Sequence, residues 1–281
     1  MNGIMVGDLV LMITQNCNLR CAHCFRGEAE DINITDETIE NTFKKISEVG
    51  RLTLTGGEPL YSPATLEKIE KVIESIKNNN VLIHQVQIIT NGVNYNDKIK
   101  LVLETLYNLA RDKKNSRLLI SGDEYHATEI NRLDLNTVFL ENSSRYKEIA
   151  SELGIIFGYT YPPQITKLGR AKNLEEATVI PDINLYNNFK KFLLETRSFN
   201  VKEAYVEVLK IHTDGSVYFY MLSNDIFKDY TMFNINDEGS LQYLLENYYN
   251  NQYGFIAKPF IGKNRDNRAR IRDLKQNYRN K

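Results

Sequence analysis

After Cys24 the sequence contains no cysteine. The 281 residues hold three in all, Cys17, Cys21 and Cys24. An odd and tightly spaced set excludes a disulfide framework and favours a reducing compartment with metal chemistry. If all three bind one metal centre, none remains for a second centre, a thiyl radical or a covalent thioether. Also missing is any apolar run near the roughly 18 residues that read as a membrane-spanning helix. The opening stretch MNGIMVGDLVLMITQNC has neither a basic start nor a small-residue cleavage site. It reads as a strand rather than a signal peptide, and the expected location is cytoplasmic. Charge of one sign is absent too. Lys plus Arg is 35 and Asp plus Glu is 36, a net -1, so neither nucleic acid nor a membrane surface is indicated as a partner. There is no internal repeat and no low-complexity segment. A hydrophobic fraction of 42% excludes disorder as the main state. The length suits one large domain, or one domain with a short appendage.

What is present is an alternation of short β-branched runs with helical stripes. Strands are expected at Asp8–Thr14, Leu52–Thr55, Val81–Thr90, Arg117–Ser121, Ile155–Tyr161 and Val201–Ile211. Thr35 is an N-cap candidate, with Ile39, Phe43 and Ile46 on one helical face before Gly50 stops it. Ser62 and Pro63 open a second helix carrying Leu66, Ile69, Ile73 and Ile76. Further helices are expected at about 96–111, up to Leu153–Gly154, and from Pro181 and Asp182 through Leu185, Phe189, Phe192 and Leu193. Six strands with helices between them predict a parallel α/β sheet, either open or a partial barrel, with active residues at the C-terminal strand ends. Past residue 211 the pattern changes to a hairpin, with Val217–Met221 pairing back, and a last helix at about Ser240–Tyr249. The final 24 residues, 258–281, hold nine Lys or Arg against two Asp, a charge of +7, leaving -8 for residues 1–257. Such a run is either a solubilising tail or a site for an acidic partner.

The cysteines stand in C-x3-C-x2-C spacing on the loop after the first strand. Three thiolates this close can wrap one face of a four-iron cluster and leave one iron open. A zinc site closed by His23 or His212 uses the same spacing. Thr53-Leu54-Thr55-Gly56-Gly57-Glu58-Pro59 follows at the end of the second strand, and its glycines allow backbone to approach a ligand. Its carboxylate suits an amine.

Cys17, Cys21 and Cys24, followed by Gly56-Gly57-Glu58-Pro59 and Thr90-Asn91-Gly92, resemble the radical S-adenosylmethionine (radical SAM) superfamily over residues 8 to about 211. The resemblance implies a partial (β/α)6 barrel over residues 1–211. It implies a [4Fe-4S] cluster on Cys17, Cys21 and Cys24 whose open iron chelates the amine and carboxylate of SAM. It also implies reductive cleavage to methionine and a 5'-deoxyadenosyl radical that takes hydrogen from substrate, with the electron supplied by a donor such as flavodoxin or ferredoxin. By the same resemblance, His23 packs on the adenine. Gly56, Gly57 and Glu58 receive the methionine amine, and Pro59 stiffens their turn. Asn91 lies near the methionine or ribose, and Ser121 and Asp123 lie where ribose hydroxyls bind. Arg170 meets the SAM carboxylate, a contact suited to a planar bidentate donor. For Asn91, Ser121, Asp123 and Arg170 the ordinary alternative is a cap or a surface pair.

Residues 212–257, from His212-Thr213-Asp214-Gly215-Ser216 to Ser240-Leu241, resemble the ending of SPASM-type radical SAM enzymes, with Tyr220 where a first auxiliary-cluster cysteine is expected. That region is expected to keep hairpin and helix without metal. It suggests a ribosomally made peptide as substrate, with leader recognition by a separate partner, a sheet edge or the basic tail. The other readings are a small-molecule or nucleotide-modifying enzyme, a glycyl-radical-enzyme activase, and a non-enzymatic metal module. With no spare cysteine, hydrogen returned to the substrate could come from a tyrosine. Tyr125, Tyr218 and Tyr220 are the candidates, and His126 and Glu207 are candidate proton-transfer groups.

Overall fold

A computed structural model describes residues 4–161, 165, 167–177, 205–218, 231–241, 243, 244 and 247. The expected helix from Pro181, the end of the C-terminal helix, the basic tail and Tyr220 lie outside the described residues, as do the side chains of Glu207 and Tyr218.

The elements are β1 (Ile4–Thr14), α1 (Asp36–Lys45), β2 (Ile46–Gly56), α2 (Pro63–Asn78), β3 (Leu82–Thr90), α3 (Asp97–Tyr107), β4 (Arg117–Ser121), α4 (Glu124–Arg132), α5 (Asn136–Leu153), β5 (Ile156–Thr160), β6 (Tyr205–Ile211), β7 (Ser216–Tyr218) and β8 (Phe233–Asn234). They form one sheet in the order β5-β4-β3-β2-β1-β6-β7-β8. The first six strands pair in parallel, and β7 and β8 add antiparallel. This is the expected α/β sheet of a partial barrel, extended by a hairpin.

The caps form where the sequence places them. Thr35 accepts from the Thr38 amide, and Ser62 and Thr65 make a reciprocal capping box around Pro63. Each satisfies backbone donors that a helix start leaves open. Behind the sheet, Leu9, Leu11 and Ile13 of β1 pack in one core with Ile39 and Phe43 of α1 and the α2 stripe. Phe43 is fully buried, a contribution of about 2–3 kcal/mol.

Ile46 and Gly50 overturn their sequence reading. Both belong to β2, with Ile46 opposite Ile4 of β1. A Cβ on Gly50 would lie 2.5 Å from the Gly7 carbonyl oxygen. Gly50 therefore permits two strands to approach and stops no helix. The helical run before Gly154 is also divided in two, at Asp134, whose φ is +57°.

Candidate functional site

β1 ends at Thr14, and its last carbonyls receive the end of β2. The Gly57 amide donates to the Thr14 carbonyl (2.7 Å) and the Glu58 amide to the Asn16 carbonyl (2.7 Å). A Cβ on Gly56 would lie 2.3 Å from the Thr14 oxygen, and one on Gly57 only 2.1 Å from the Asn16 oxygen. Both glycines are thus required by the neighbouring main chain, before any ligand is considered.

Glu58 is 1% exposed and turned inward. One carboxylate oxygen accepts from the Leu60 amide (2.9 Å) and the Thr90 hydroxyl (2.7 Å); the other accepts from the Asn91 amide (2.6 Å). Burial outweighs these donors and raises its pKa. Among the described residues no Lys or Arg forms an ion pair with Glu58. A buried carboxylate with neutral donors and no cation is chemically suited to an ammonium group.

Cys17, Cys21 and Cys24 line one cavity together with Glu58, His23 and Asn91. Burial pushes the Cys17 and Cys21 thiols up to about 12, and neighbouring cysteines oppose ionisation of both further. Such a group of thiols can ionise together when a metal centre neutralises them. The donor set therefore fits the cluster that the resemblance implies. Asn91 steadies the loop, donating from Nδ2 to Asn18 (2.7 Å) and lying 3.9 Å from the Cys17 sulfur. Cys21, His23 and His126 also offer ligand atoms within 4.8 Å of one another. His212 is outside this group, and its Nδ1 lies 3.3 Å from Asp214.

Ser121 and His126 line the cavity from the C-terminal side of β4. Asp123 caps α4, accepting from the Tyr125 and His126 amides. Its other oxygen lies 2.6 Å from Nδ1 of His126, and His23 Nε2 is 3.6 Å from the carboxylate. Although burial opposes it, the partnership with His126 lowers the Asp123 pKa. His23 stacks on the Tyr125 ring at 4.8 Å, and the Tyr125 hydroxyl bonds Glu176. Tyr125 thus meets the site through His23.

Arg170 lines the same cavity, with Nε on the Cys21 carbonyl (3.0 Å) and Nη1 on the Gly27 carbonyl (2.6 Å). Arg26, which no motif in the sequence marks, enters the cavity and donates to Thr55 (3.4 Å). A polar belt lies on the cavity-facing side of the strands. Thr55 and Ile89 line the cavity, and strand alternation places Thr53, Arg51, Gln87 and Gln85 on the same face below them. Arg51 pairs with Asp8. Lys210 shares this belt, and burial draws its pKa down to about 8, with Asp8 opposing. Charged residues at alternate positions of otherwise apolar strands were the available signal.

Residues 11–133 match the radical SAM superfamily. This segment is a radical SAM domain. Among curated relatives, the GTP 3',8-cyclase of Clostridium perfringens is 31% identical over 111 residues, covering 36% of this chain and 32% of that protein. The chain thus spans about a third of the length of that relative. An uncharacterised protein of Methanocaldococcus jannaschii is 25% identical over 206 residues, 72% of this chain and 62% of its own. The solved structure of hexahistidine-tagged anSMEcpe with bound AdoMet superposes with a TM-score of 0.53 at 18% identity, over 92% of this chain and 81% of that one. The fold is therefore that of radical SAM enzymes. The cofactors of the radical SAM domain are a [4Fe-4S] cluster and SAM, and the cysteine loop and Glu58 provide chemistry for both.

Proposed function

We propose that the chain is a radical SAM enzyme that holds one [4Fe-4S] cluster on Cys17, Cys21 and Cys24 and acts on a ribosomally made peptide. The observation that carries the cofactor part is the shared cavity of three cysteine thiols and a buried Glu58 that, among the described residues, forms no ion pair with Lys or Arg. When bound, the cluster supplies the electron that cleaves SAM to methionine and a 5'-deoxyadenosyl radical. The chain's own residues bind and orient. Glu58 receives the methionine amine at the carboxylate already set by Leu60, Thr90 and Asn91. Gly56, Gly57 and Pro59 hold that carboxylate's turn. His23 supplies an aromatic face for adenine, while Ser121 and Asp123 offer oxygen acceptors to ribose hydroxyls. Tyr125, beside His23, Tyr218 and Tyr220 are hydrogen-donor candidates, and His126 and Glu207 are proton-transfer candidates. A flavodoxin or ferredoxin is the proposed electron donor, and the proposed location is cytoplasmic. No helix among the described residues is long and apolar enough to cross a membrane.

The peptide assignment is supported by the resemblance of residues 212–257 to SPASM endings and by Gly169-Arg170-Ala171. A nucleotide substrate is the second reading, favoured by the likeness to GTP 3',8-cyclases. Anaerobic reconstitution tests the cofactor assignment. About four irons and four sulfides per chain are expected, and Ala at any of the three cysteines should abolish SAM cleavage. One zinc per chain, or seven or more irons, would overturn it. Incubation of the reduced enzyme with SAM and deuterated peptides or deuterated GTP tests the substrate, because deuterium in 5'-deoxyadenosine identifies the hydrogen donor.

A further inference from the structure

The loop that carries the cysteines has little regular structure of its own. Its internal bonds include Cys24 amide to Cys21 carbonyl (3.1 Å) and Gly27 amide to Cys24 carbonyl (3.4 Å). A segment far along the chain supplies more. Arg170 donates from Nε to Cys21 and from Nη1 to Gly27, and its amide donates to the Cys24 carbonyl (2.9 Å). One residue thus satisfies three carbonyls of one loop, two of them on cluster-ligand cysteines. Beside it Gly169, at φ +53°, is pressed onto the same loop. A Cβ there would lie 2.4 Å from the Gly27 nitrogen, 2.6 Å from the Phe25 oxygen and 2.7 Å from the Cys24 oxygen.

We infer that Arg170 is a positioning residue that fastens the Cys21–Gly27 loop in the shape the cluster requires. It does this in place of the SAM-carboxylate contact that the sequence suggests. The inference rests on the cluster reading above. The forked shape matters as well as the charge. Two nitrogens of one rigid plane reach carbonyls six residues apart, whereas the three N–H groups of a lysine radiate from a single nitrogen on a flexible stem and are not pre-organised to hold both. Every contact of the fastening is between protein atoms, so the iron-free chain can be used to test it.

Hydrogen exchange of the iron-free full chain tests this directly, on wild type, Arg170→Ala and Arg170→Lys. Exchange in peptides covering residues 21–28 should be at least about tenfold faster in Arg170→Ala and intermediate in Arg170→Lys, with β1 to β4 unchanged. After reconstitution the cluster of Arg170→Ala should bleach several-fold faster, while SAM affinity per bound cluster stays within about twofold of wild type. Unchanged loop exchange and cluster lifetime together with weakened SAM binding would overturn the inference and give Arg170 to the carboxylate. Should Arg170→Ala lose protection throughout the sheet, Arg170→Lys decides by the same measurements. Failure of the wild-type chain to load iron would instead sink the cluster reading, and the exchange data would still decide whether Arg170 fastens the loop.

Discussion

Glu58 has two tasks at one carboxylate. Toward the cavity it offers charge to a ligand amine. Toward the protein it joins the turn after β2, through Leu60, to the end of β3, through Thr90 and Asn91. Gln at this position keeps the shape and can still accept from Leu60 and Thr90, but its amide then faces the Asn91 N–H, donor against donor. Glu58→Gln should therefore cost about 1–3 kcal/mol in the iron-free protein, besides weakening SAM binding. Urea unfolding without SAM measures the first effect and SAM titration of the loaded enzyme the second. A loss of SAM affinity with unchanged unfolding would mean that the network does not hold the turn. The motif around Glu58 was legible because its residues are contiguous. Its inward role was not, because its partners Thr90 and Asn91 lie more than thirty positions away and nothing local marks them as donors.

At the scale of elements, legibility followed the locality of the cause. Thr35, Ser62 and Pro63 act within one turn of themselves, and their helices begin where the sequence predicts. Gly50 acts across strands. In sequence it follows a helical stripe and reads as a stop, but its reason is the Gly7 carbonyl of the neighbouring strand. The same distance effect hid the fastening of the cysteine loop by Arg170 and the Asp8–Arg51 pair. Gly50→Ala tests the strand account of this glycine. Between β1 and β2 the methyl meets backbone that cannot turn aside, and a loss of about 1–3 kcal/mol is expected. Thermal unfolding of the iron-free variant measures it, and a melting temperature equal to wild type would show that the two strands do not require a glycine there.

At the scale of the molecule, the sequence suggests a boundary at residue 212, yet the described hairpin is joined to the barrel on several sides. β7 continues the sheet beside β6, and Gln15 at the end of β1 donates to Thr213 (2.8 Å). Lys45 of α1 donates to the carbonyls of Ile235 (2.7 Å) and Asp237 (2.6 Å), and Asn236 bonds both Asn41 and Thr38. Val217, Met232, Ile235 and Leu241 belong to the same core as Leu9 and Phe43. Because the hairpin's apolar side chains are buried in the core that β1 and α1 also share, barrel and hairpin should unfold in one cooperative transition. Ile235 is fully buried. Ile235→Ala should destabilise the whole unit by about 2–5 kcal/mol and shift that transition without splitting it. Calorimetry of the iron-free chain decides the point. Equal calorimetric and van't Hoff enthalpies in both proteins support a single unit. A low-temperature transition in Ile235→Ala, with the main one unmoved, would show that residues from 212 onward form a separately melting appendage and that the site does not depend on them for its fold.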